Sequence, residues 1–275
     1  MYLTFSTVQI YAIYLYRISK NKVMRLKEKT VLVTGGSSGI GLGIIREFKN
    51  EGAKGAIVGR NQEKLDLAIN ELGDDFIGIA GDVTKNEDLS SIFKSYSEKF
   101  EKLDVLVVNA GGAIGIGSLG SIDTASEDDF DRMIGLNLKS VFFTVQKSLP
   151  YLKDGASIIL VSSIAPHKGM SGLTVYSAAK AGVRSFARTF SRDLLERNIR
   201  VNVLSPGTID TPLFENLGLP KEHYLEAKKQ FESLIPIKRI GSPKEMGRVA
   251  SFLASNDSSF LLGEEIIADG GVTNL

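Results

Sequence analysis

The 275-residue sequence contains no cysteine and no tryptophan, and histidine occurs only twice. Without cysteine the chain can form no disulfide framework, no thiolate metal site and no cysteine nucleophile. The two imidazoles, His167 and His223, are far apart in the chain, which argues against a histidine-rich zinc site. We therefore predict no metal centre.

An excess of charge of one sign is also missing. The chain has 33 basic and 32 acidic residues, a formal net charge of +1. A general nucleic-acid binder needs a basic face to neutralise phosphates, so nucleic acid is not an expected partner. The hydrophobic and charged fractions, 43% and 24%, are those of an ordinary folded protein. Because no Pro-rich or Ser-rich linker divides the chain, one domain is the better interpretation.

Residues 1–23 differ from the rest, because they carry Arg17, Lys20 and Lys22 but no acidic residue. They lack the basic start and the cleavage site of a secretory signal. Their sixteen uncharged residues are fewer than the roughly 20 needed to span a bilayer. If they did anchor the chain, the basic residues would keep the domain cytoplasmic. We expect instead a mis-set start codon, with Met24 as the first residue, or a disordered tail. A membrane partner is therefore not expected.

From Met24 onward, short β-branched runs alternate with longer amphipathic stretches. The runs are Thr30–Thr34, Gly55–Val58, Phe76–Ala80, Asp104–Val108, Ser157–Ser162, Arg200–Leu204 and Glu265–Ala268. The clearest helical stretches are Gly41–Asn50, Gln62–Leu72 and Asn86–Phe100. Strand–helix alternation with nearly continuous apolar strands predicts an α/β fold, a doubly wound parallel sheet of about seven strands with helices on both faces. Ligands bind such sheets at the carboxyl ends of the strands.

A glycine-rich turn follows the first predicted strand, with the spacing Thr-Gly-x-x-x-Gly-Ile-Gly over residues 34–41. Glycine permits tight turning and close approach of the backbone to a ligand. The start of the next helix offers unpaired N–H groups and a partial positive charge that suit a phosphate. The turn is therefore a candidate dinucleotide site, the alternative being a turn that binds nothing. No Gly-Lys-Ser/Thr follows it, which disfavours a P-loop nucleotidase.

Tyr176 and Lys180 are four residues apart and would share one face of a helix. A nearby ammonium favours the phenolate, so we expect Lys180 to lower the pKa of Tyr176 into the range of acid–base catalysis. The spacing alone does not select this pair, because Tyr16/Lys20 and Tyr224/Lys228 share it. Context does: Tyr176 follows a strand, Ser163 ends that strand, and small residues surround the predicted start of the helix.

At this point the sequence resembles the short-chain dehydrogenase/reductase family. The matching motifs occur in family order between Arg25 and about Thr273. They are TGGSSGIG at 34–41, Asp82-Val83, Asn109-Ala110-Gly111, Asn137, Ser163, Tyr176-Ser-Ala-Ala-Lys180, Pro206 to Thr211, and Asp269-Gly270-Gly271. One departure is Val108, where the family usually has a first Asn that tends to be structural. The replacement bears on local strand hydrogen bonding more than on catalysis.

The resemblance implies a Rossmann-fold NAD(P)-binding catalytic domain over residues 24–275, with cofactor contacts along one edge of the sheet. The implied contacts to the pyrophosphate and its riboses are Gly35, Ser37, Ser38, Gly39, Ile40 and Gly41. The implied contacts to adenine and its ribose are Arg60, Asn61, Asp82, Val83, Asn109, Ala110 and Gly111. The implied contacts to the nicotinamide and its ribose are Tyr176, Lys180, Pro206, Gly207, Ile209 and Thr211.

The resemblance also implies hydride transfer between a nicotinamide cofactor and a small carbonyl or secondary alcohol. Tyr176 would pass a proton to or from the substrate oxygen, and Ser163 would hydrogen-bond that oxygen. Lys180 would bind the nicotinamide ribose and lower the pKa of Tyr176, while Asn137 would hold a water linked to Lys180. Such hydride transfer needs neither a metal nor a cysteine, because the cofactor carries it.

The second predicted strand ends at Gly59-Arg60, where an NAD enzyme commonly places Asp or Glu. Arg60 would pair with a 2′-phosphate, so NADP(H) is favoured, with NAD(H) as the alternative. Ser38 stands where members that favour NADP often carry a second basic residue.

Residues 208–240 would fold over the substrate, and Leu213, Phe214 and Leu217 suggest that it has an apolar part. His167 and Met170 lie where substrate contacts often occur, although a lone histidine is more often structural or solvated. The resemblance further implies a cytoplasmic homotetramer or homodimer. The alternatives are a 3-oxoacyl-carrier-protein reductase-like activity, a non-catalytic nicotinamide-binding regulator, and a methyltransferase or other Gly-loop α/β protein. The last would leave the Tyr/Lys helix unexplained.

Overall fold

A computed structural model describes residues 24–112, 122–212 and 221–275. The predictions for the segment 1–23 and for Leu213, Phe214 and Leu217 concern residues outside these ranges. No helix within the described ranges is both long enough and apolar enough to cross a membrane.

Seven parallel strands form one sheet in the order β3-β2-β1-β4-β5-β6-β7. They are β1 (Thr30–Thr34), β2 (Lys54–Gly59), β3 (Phe76–Ala80), β4 (Leu103–Val108), β5 (Leu152–Val161), β6 (Arg200–Pro206) and β7 (Glu265–Ala268). The predicted parallel sheet is confirmed. The largest difference is at β5, which begins five residues before the predicted Ser157 because Leu152 pairs with Leu103 ahead of a register shift.

Eight α-helices of the described residues cover the two faces of the sheet. They are α1 (Gly39–Asn50), α2 (Gln62–Leu72), α3 (Asn86–Phe100), α4 (Glu127–Ile134), α5 (Ser140–Ser148), α6 (Thr174–Asp193), α7 (Lys221–Leu234) and α8 (Pro243–Ala254). A five-residue π-helical turn, Gly135–Lys139, joins α4 to α5, and a 3₁₀ turn, Ala165–His167, precedes α6. The predicted bounds of α2 and α3 are correct, whereas α1 begins two residues before the predicted Gly41.

The core has one layer on each side of the sheet because side chains alternate along each strand. Leu32 of β1 packs in the layer that contains Phe93 and Tyr96 of α3. Its neighbour Val33 packs in the layer that contains Phe48 of α1. Burying one large apolar side chain stabilises the fold by about 1.5–3 kcal/mol. The two layers therefore fix β1 and the carboxyl ends of the central strands in place.

The strand order places a crevice at the centre of the sheet. The chain runs outward from β1 to β3 and then returns to form β4 on the other side of β1. Helices that follow β1 and β4 therefore leave toward opposite faces, and the carboxyl ends of these two strands border an open cleft. Val108 ends β4, where it is 3% exposed and stays in register with Leu160 of β5. The replacement of the family's usual Asn thus leaves the strand pairing intact.

Candidate active site

The glycine turn lies in the central crevice, between β1 and α1. Gly35 and Gly39 have φ values of +65° and +52°, a region that side chains other than glycine disfavour. A Cβ at Gly41 would lie 2.2 Å from the carbonyl oxygen of Gly35, and one at Gly36 would lie 2.6 Å from Ile57 Cγ2. The turn therefore folds tightly only because side chains are absent.

Thr34 and Asn109 join this turn to the end of β4. The Thr34 hydroxyl accepts hydrogen bonds from the backbone N–H groups of Asn109 (3.0 Å) and Ala110 (3.1 Å). The Asn109 side-chain amide donates in return to the carbonyl oxygens of Thr34 (3.0 Å) and Gly35 (3.2 Å). The Asn109 side chain therefore braces the crevice. Sequence reasoning gave Thr34 no role, although its place before the glycines was a usable signal.

The start of α1 fits the phosphates of a dinucleotide. Ser38, at the N-cap, makes no side-chain capping hydrogen bond, and the first turn has no acidic residue. The N–H groups that helix geometry leaves unpaired, together with the positive end of the helix dipole, suit an anion. A Cβ at Gly39 would reach Thr211 Cγ2 at 3.3 Å, so the turn and the segment after β6 face each other closely.

Four of the predicted contacts to adenine and its ribose follow the ends of β2 and β3, namely Arg60, Asn61, Asp82 and Val83. Burial opposes ionisation of Asp82, but hydrogen bonds from Thr84 and the positive charge of Arg60 outweigh it, so the pKa of Asp82 lies below its usual value. Arg60 is exposed, and Val83 is buried in the core. The Asn61 carboxamide oxygen accepts a hydrogen bond from Lys64 N at 2.9 Å, so this side chain caps the N-terminus of α2.

Ser163 and Tyr176 meet at the carboxyl end of β5. Their side chains interact with each other, and the Ser163 Oγ accepts a hydrogen bond from the Ala165 N–H at 3.1 Å. Burial raises the pKa of the Tyr176 hydroxyl above its usual value, and the interaction with Ser163 offsets only part of that rise. The expectation of a lowered pKa is therefore wrong for this structure. Desolvation of the phenolate dominates the shift, and the attraction of Lys180, on which the expectation rested, is not among its causes.

Lys180 lies one helical turn after Tyr176 and is 3% exposed. Its Nζ donates to the carbonyl oxygen of Val161 at 2.9 Å and lies 5.8 Å from the centroid of the Tyr176 ring. Burial lowers the pKa of this ammonium to about 8. The Ser162 hydroxyl donates to the Lys180 carbonyl oxygen at 2.9 Å and so ties the helix to β5. Sequence reasoning missed this contact of Ser162.

Asn137 lies in the π-helical turn and is fully buried. Its side-chain amide donates to the carbonyl oxygens of Gly112 (3.0 Å) and Met133 (3.2 Å), while its Oδ1 accepts from the Gly112 N–H at 2.8 Å. A Cβ at Gly111 would lie 2.9 Å from Asn137 Oδ1 and 3.2 Å from Lys180 Nζ. Asn137, Gly111 and Lys180 are therefore in close contact. π-Helical turns of this kind are frequent at functional sites.

The segment after β6 completes the crevice. The Ile164 N–H donates to the Pro206 carbonyl oxygen at 3.2 Å, and the Gly207 N–H donates to the Ala268 carbonyl oxygen at 3.0 Å. A Cβ at Gly207 would lie 2.7 Å from Asp269 Cα. Ile209, which is buried, forms an isolated bridge with Gly241. The predicted nicotinamide contacts from Pro206 to Thr211 thus lie at and after the end of β6, beside the end of β7. Within the described ranges, no three His, Asp or Glu side chains are grouped as a metal site would require.

The fold and this edge define a class of protein: a dinucleotide-binding α/β enzyme with a Ser–Tyr–Lys group beside the cofactor crevice. Comparisons with known proteins agree. A family model described as Enoyl-(Acyl carrier protein) reductase matches residues 35–273. The chain is 39% identical to Oxidoreductase asL5 of Sarocladium schorii over 256 residues, covering 92% of this chain and 99% of the relative. It is 36% identical to the 3-oxoacyl-[acyl-carrier-protein] reductase FabG of Chlamydia pneumoniae, covering 89% and 97%.

A solved structure, the short-chain dehydrogenase/reductase from Serratia marcescens BCRC 10948, superposes with a TM-score of 0.82 at 28% identity. The match covers 90% of this chain and 99% of that one. The chain belongs to the short-chain dehydrogenase/reductase family. It is an oxidoreductase, and its family implies a nicotinamide cofactor.

Proposed function

We propose that this enzyme reduces a carbonyl group, or oxidises the corresponding secondary alcohol, with Tyr176 as the proton donor or acceptor. The observation that carries the proposal is the pair of Ser163 and Tyr176, whose side chains interact, next to buried Lys180, at the edge that also holds the glycine turn. The cofactor, when bound, supplies or accepts the hydride. The residues of this chain hold the substrate oxygen and move its proton.

Each side chain of the pair has a separate task in this proposal. The Ser163 Oγ accepts from the Ala165 N–H, which orients the hydroxyl. Its proton, which is directed at the Tyr176 oxygen in this structure, would turn to the substrate oxygen when a substrate binds. Because burial keeps the pKa of Tyr176 high, the hydroxyl is protonated near neutral pH, which is the form that donates to a carbonyl oxygen. Lys180 binds the nicotinamide ribose.

Asn137 keeps its expected role of holding a water and receives a second one. Its Oδ1 accepts one hydrogen bond, from the Gly112 N–H, and has a second lone pair that can accept from a water, while its amide group bonds Gly112 and Met133. We propose that Asn137 acts as a positioning residue that fixes the segment of Gly111 and Gly112 against Lys180.

A panel of carbonyl compounds tests the function. The purified chain is mixed with NADPH and cyclohexanone, ethyl acetoacetate or an acetoacetyl thioester, and NADPH consumption is followed. We expect turnover of at least one ketone and its near-complete loss in Tyr176→Phe. A variant that keeps full turnover would refute the proton-transfer role, and a chain that binds NADPH but reduces nothing would favour the non-catalytic regulator.

A 3-oxoacyl thioester is the second candidate substrate. It is supported by the names of two relatives, the reductases FabG of Chlamydia pneumoniae and Thermotoga maritima, each 36% identical to this chain. The panel separates the candidates, since this substrate class predicts a higher kcat/KM for the acetoacetyl thioester than for the simple ketones.

NADPH is the proposed cofactor. Arg60 is exposed directly after β2, and β2 ends at Gly59, where an NAD enzyme commonly has Asp or Glu. We expect kcat/KM to be higher with NADPH than with NADH by about tenfold or more, since one good charge-assisted pair contributes about 1.5–3 kcal/mol. A strong preference for NADH would overturn the assignment.

A cytoplasmic homotetramer or homodimer is the proposed assembly. Phe142 of α5 packs against Phe186 and Phe190 of α6, yet it remains 36% exposed, and Phe130 of α4 is 49% exposed. Such an apolar face on neighbouring helices favours association with a second copy. Sedimentation of the purified chain should give twice or four times the monomer mass, and a monomer would refute this.

A further inference from the structure

Three polar side chains meet at Glu265, outside the group assigned to proton transfer. Glu265 is the first residue of β7, and its side chain is 8% exposed. Its Oε1 lies 2.8 Å from His167 Nε2 and accepts a hydrogen bond from the Ser205 hydroxyl at 2.6 Å. Its Oε2 forms an ion pair with Arg184. A carboxylate only accepts hydrogen bonds, so His167 donates through Nε2.

These contacts connect four parts of the chain at one carboxylate. His167 belongs to the 3₁₀ turn after β5, Arg184 to α6, and Ser205 to β6. A carboxylate this deeply buried destabilises a fold unless it is paired and hydrogen-bonded. Glu265 meets both conditions, and its partners are thereby fixed relative to one another.

The 3₁₀ turn that carries His167 also controls Ser163. The turn begins at Ala165, whose N–H donates to the Ser163 Oγ. The His167 N–H closes the same turn by donating to the Ile164 carbonyl oxygen at 2.9 Å. The direction of the Ser163 hydroxyl therefore depends on where this turn is held.

The Ile164 N–H, which donates to the Pro206 carbonyl oxygen, holds the start of the turn. Beyond it, from Ala165 to Gly172, two hydrogen bonds reach other elements of the described chain. One is the His167–Glu265 bond, and the other is a long bond of 3.4 Å from Lys168 Nζ to the Val272 carbonyl oxygen. Residues 168–171 are exposed, so His167 is the last firm anchor before them.

We infer that His167 is a positioning residue for carbonyl reduction: held by Glu265, it fixes the turn that aims the Ser163 hydroxyl at the substrate oxygen. It acts through Ser163 and touches neither substrate nor cofactor. The inference rests on the proposed role of Ser163 in catalysis.

A double-mutant cycle tests the coupling in the full-length chain. His167→Leu is introduced into the wild type and into Ser163→Ala, and kcat is measured with NADPH and the panel ketone that reacts fastest. We expect a fall of about tenfold in the wild type and less than about twofold in the Ser163→Ala background, because coupled residues are not additive. Affinity for NADPH, from fluorescence titration, should stay within about twofold.

Two further variants separate positioning from general damage. His167→Gln places an amide donor near the position of Nε2 and should restore kcat to within about threefold of the wild type. Lys168→Ala removes the exposed neighbour's weak bond and should change kcat by less than about twofold. Thermal unfolding midpoints show that each variant is folded.

The outcomes are distinguishable. If Ser163→Ala keeps full turnover, the proposed function of Ser163 fails. If Ser163→Ala loses turnover but His167→Leu lowers kcat equally in both backgrounds, or His167→Gln is as poor as His167→Leu, the positioning role of His167 is overturned while the function stands.

Discussion

The glycine turn after β1 and the Tyr176–Lys180 pocket after β5 lie along the same edge of the sheet, but they are constructed differently. The turn depends on side chains that are absent, since a Cβ at Gly41 would collide with Gly35. The Tyr176–Lys180 region depends on side chains that are buried, since Lys180 is almost inaccessible and its pKa falls to about 8. The backbone shape of the turn therefore suits it to binding a ligand, whereas desolvation suits the other region to proton chemistry.

The largest expected effect on cofactor affinity is at the turn. In Gly41→Val the new side chain would overlap the Gly35 carbonyl oxygen, starting from a Cβ distance of 2.2 Å. Overpacking of this kind costs about 1–3 kcal/mol or more. We expect NADPH affinity to fall by about tenfold or more in a fluorescence titration.

Gly169→Ala is the matched control, since a Cβ there would meet no atom within 4 Å. It should bind NADPH like the wild type. Equal affinity in Gly41→Val and the wild type would break the proposed division between the two regions.

The next effect concerns Lys180. Because its pKa is about 8 in the folded chain and 10.5 ordinarily, the unfolded chain binds more protons between these values. The free energy of unfolding is therefore highest above pH 10.5, where Lys180 is neutral in both states. It falls as the pH drops from 10.5 toward 8, and below pH 8 the full cost of burying the ammonium is present.

Lys180→Met removes this dependence and the buried charge. The variant should lose turnover yet be more stable than the wild type at pH 7, by roughly 1–3 kcal/mol, and the difference should shrink as the pH rises from 8 toward 10.5. Denaturant unfolding across this pH range measures it. If the difference in free energy of unfolding stays constant with pH, or if the variant is less stable at neutral pH, burial of the Lys180 ammonium does not destabilise the fold.

Thr34→Val has the smallest expected effect and tests the brace between the two strands. The exchange keeps the shape but leaves the N–H groups of Asn109 and Ala110 without their acceptor. We expect a loss of about 1–3 kcal/mol in the free energy of unfolding. Thr189→Val, at an exposed position where the hydroxyl bonds its own helix, should cost less than about 0.5 kcal/mol. Equal losses in both variants would show that the Thr34 hydroxyl does not brace β1 against the end of β4.

The same comparison explains what could be predicted from the sequence. The sheet and the glycine turn could be predicted because strand periodicity and glycine spacing are local properties of the sequence, and β1 ends where its pattern predicts. The pKa shift of Tyr176 could not be predicted, because its direction depends on burial by elements distant in sequence. The hydrogen-bond partners of Asn137 depend on a π-helical turn that no pattern in the sequence predicts. The pairing of His167 with Glu265 joins residues 98 positions apart, a separation at which spacing carries no signal.

We propose that the glycine turn binds the phosphates of the cofactor and that Tyr176, farther along the same edge, moves the proton. The variant Tyr176→Phe separates these two functions, with NADPH affinity and ketone turnover measured on the same preparation. We expect an affinity within about twofold of the wild type and a fall in turnover of about 10²–10⁴-fold, the usual contribution of a positioned proton donor. Turnover that survives, or affinity that falls together with turnover, would show that this division is wrong.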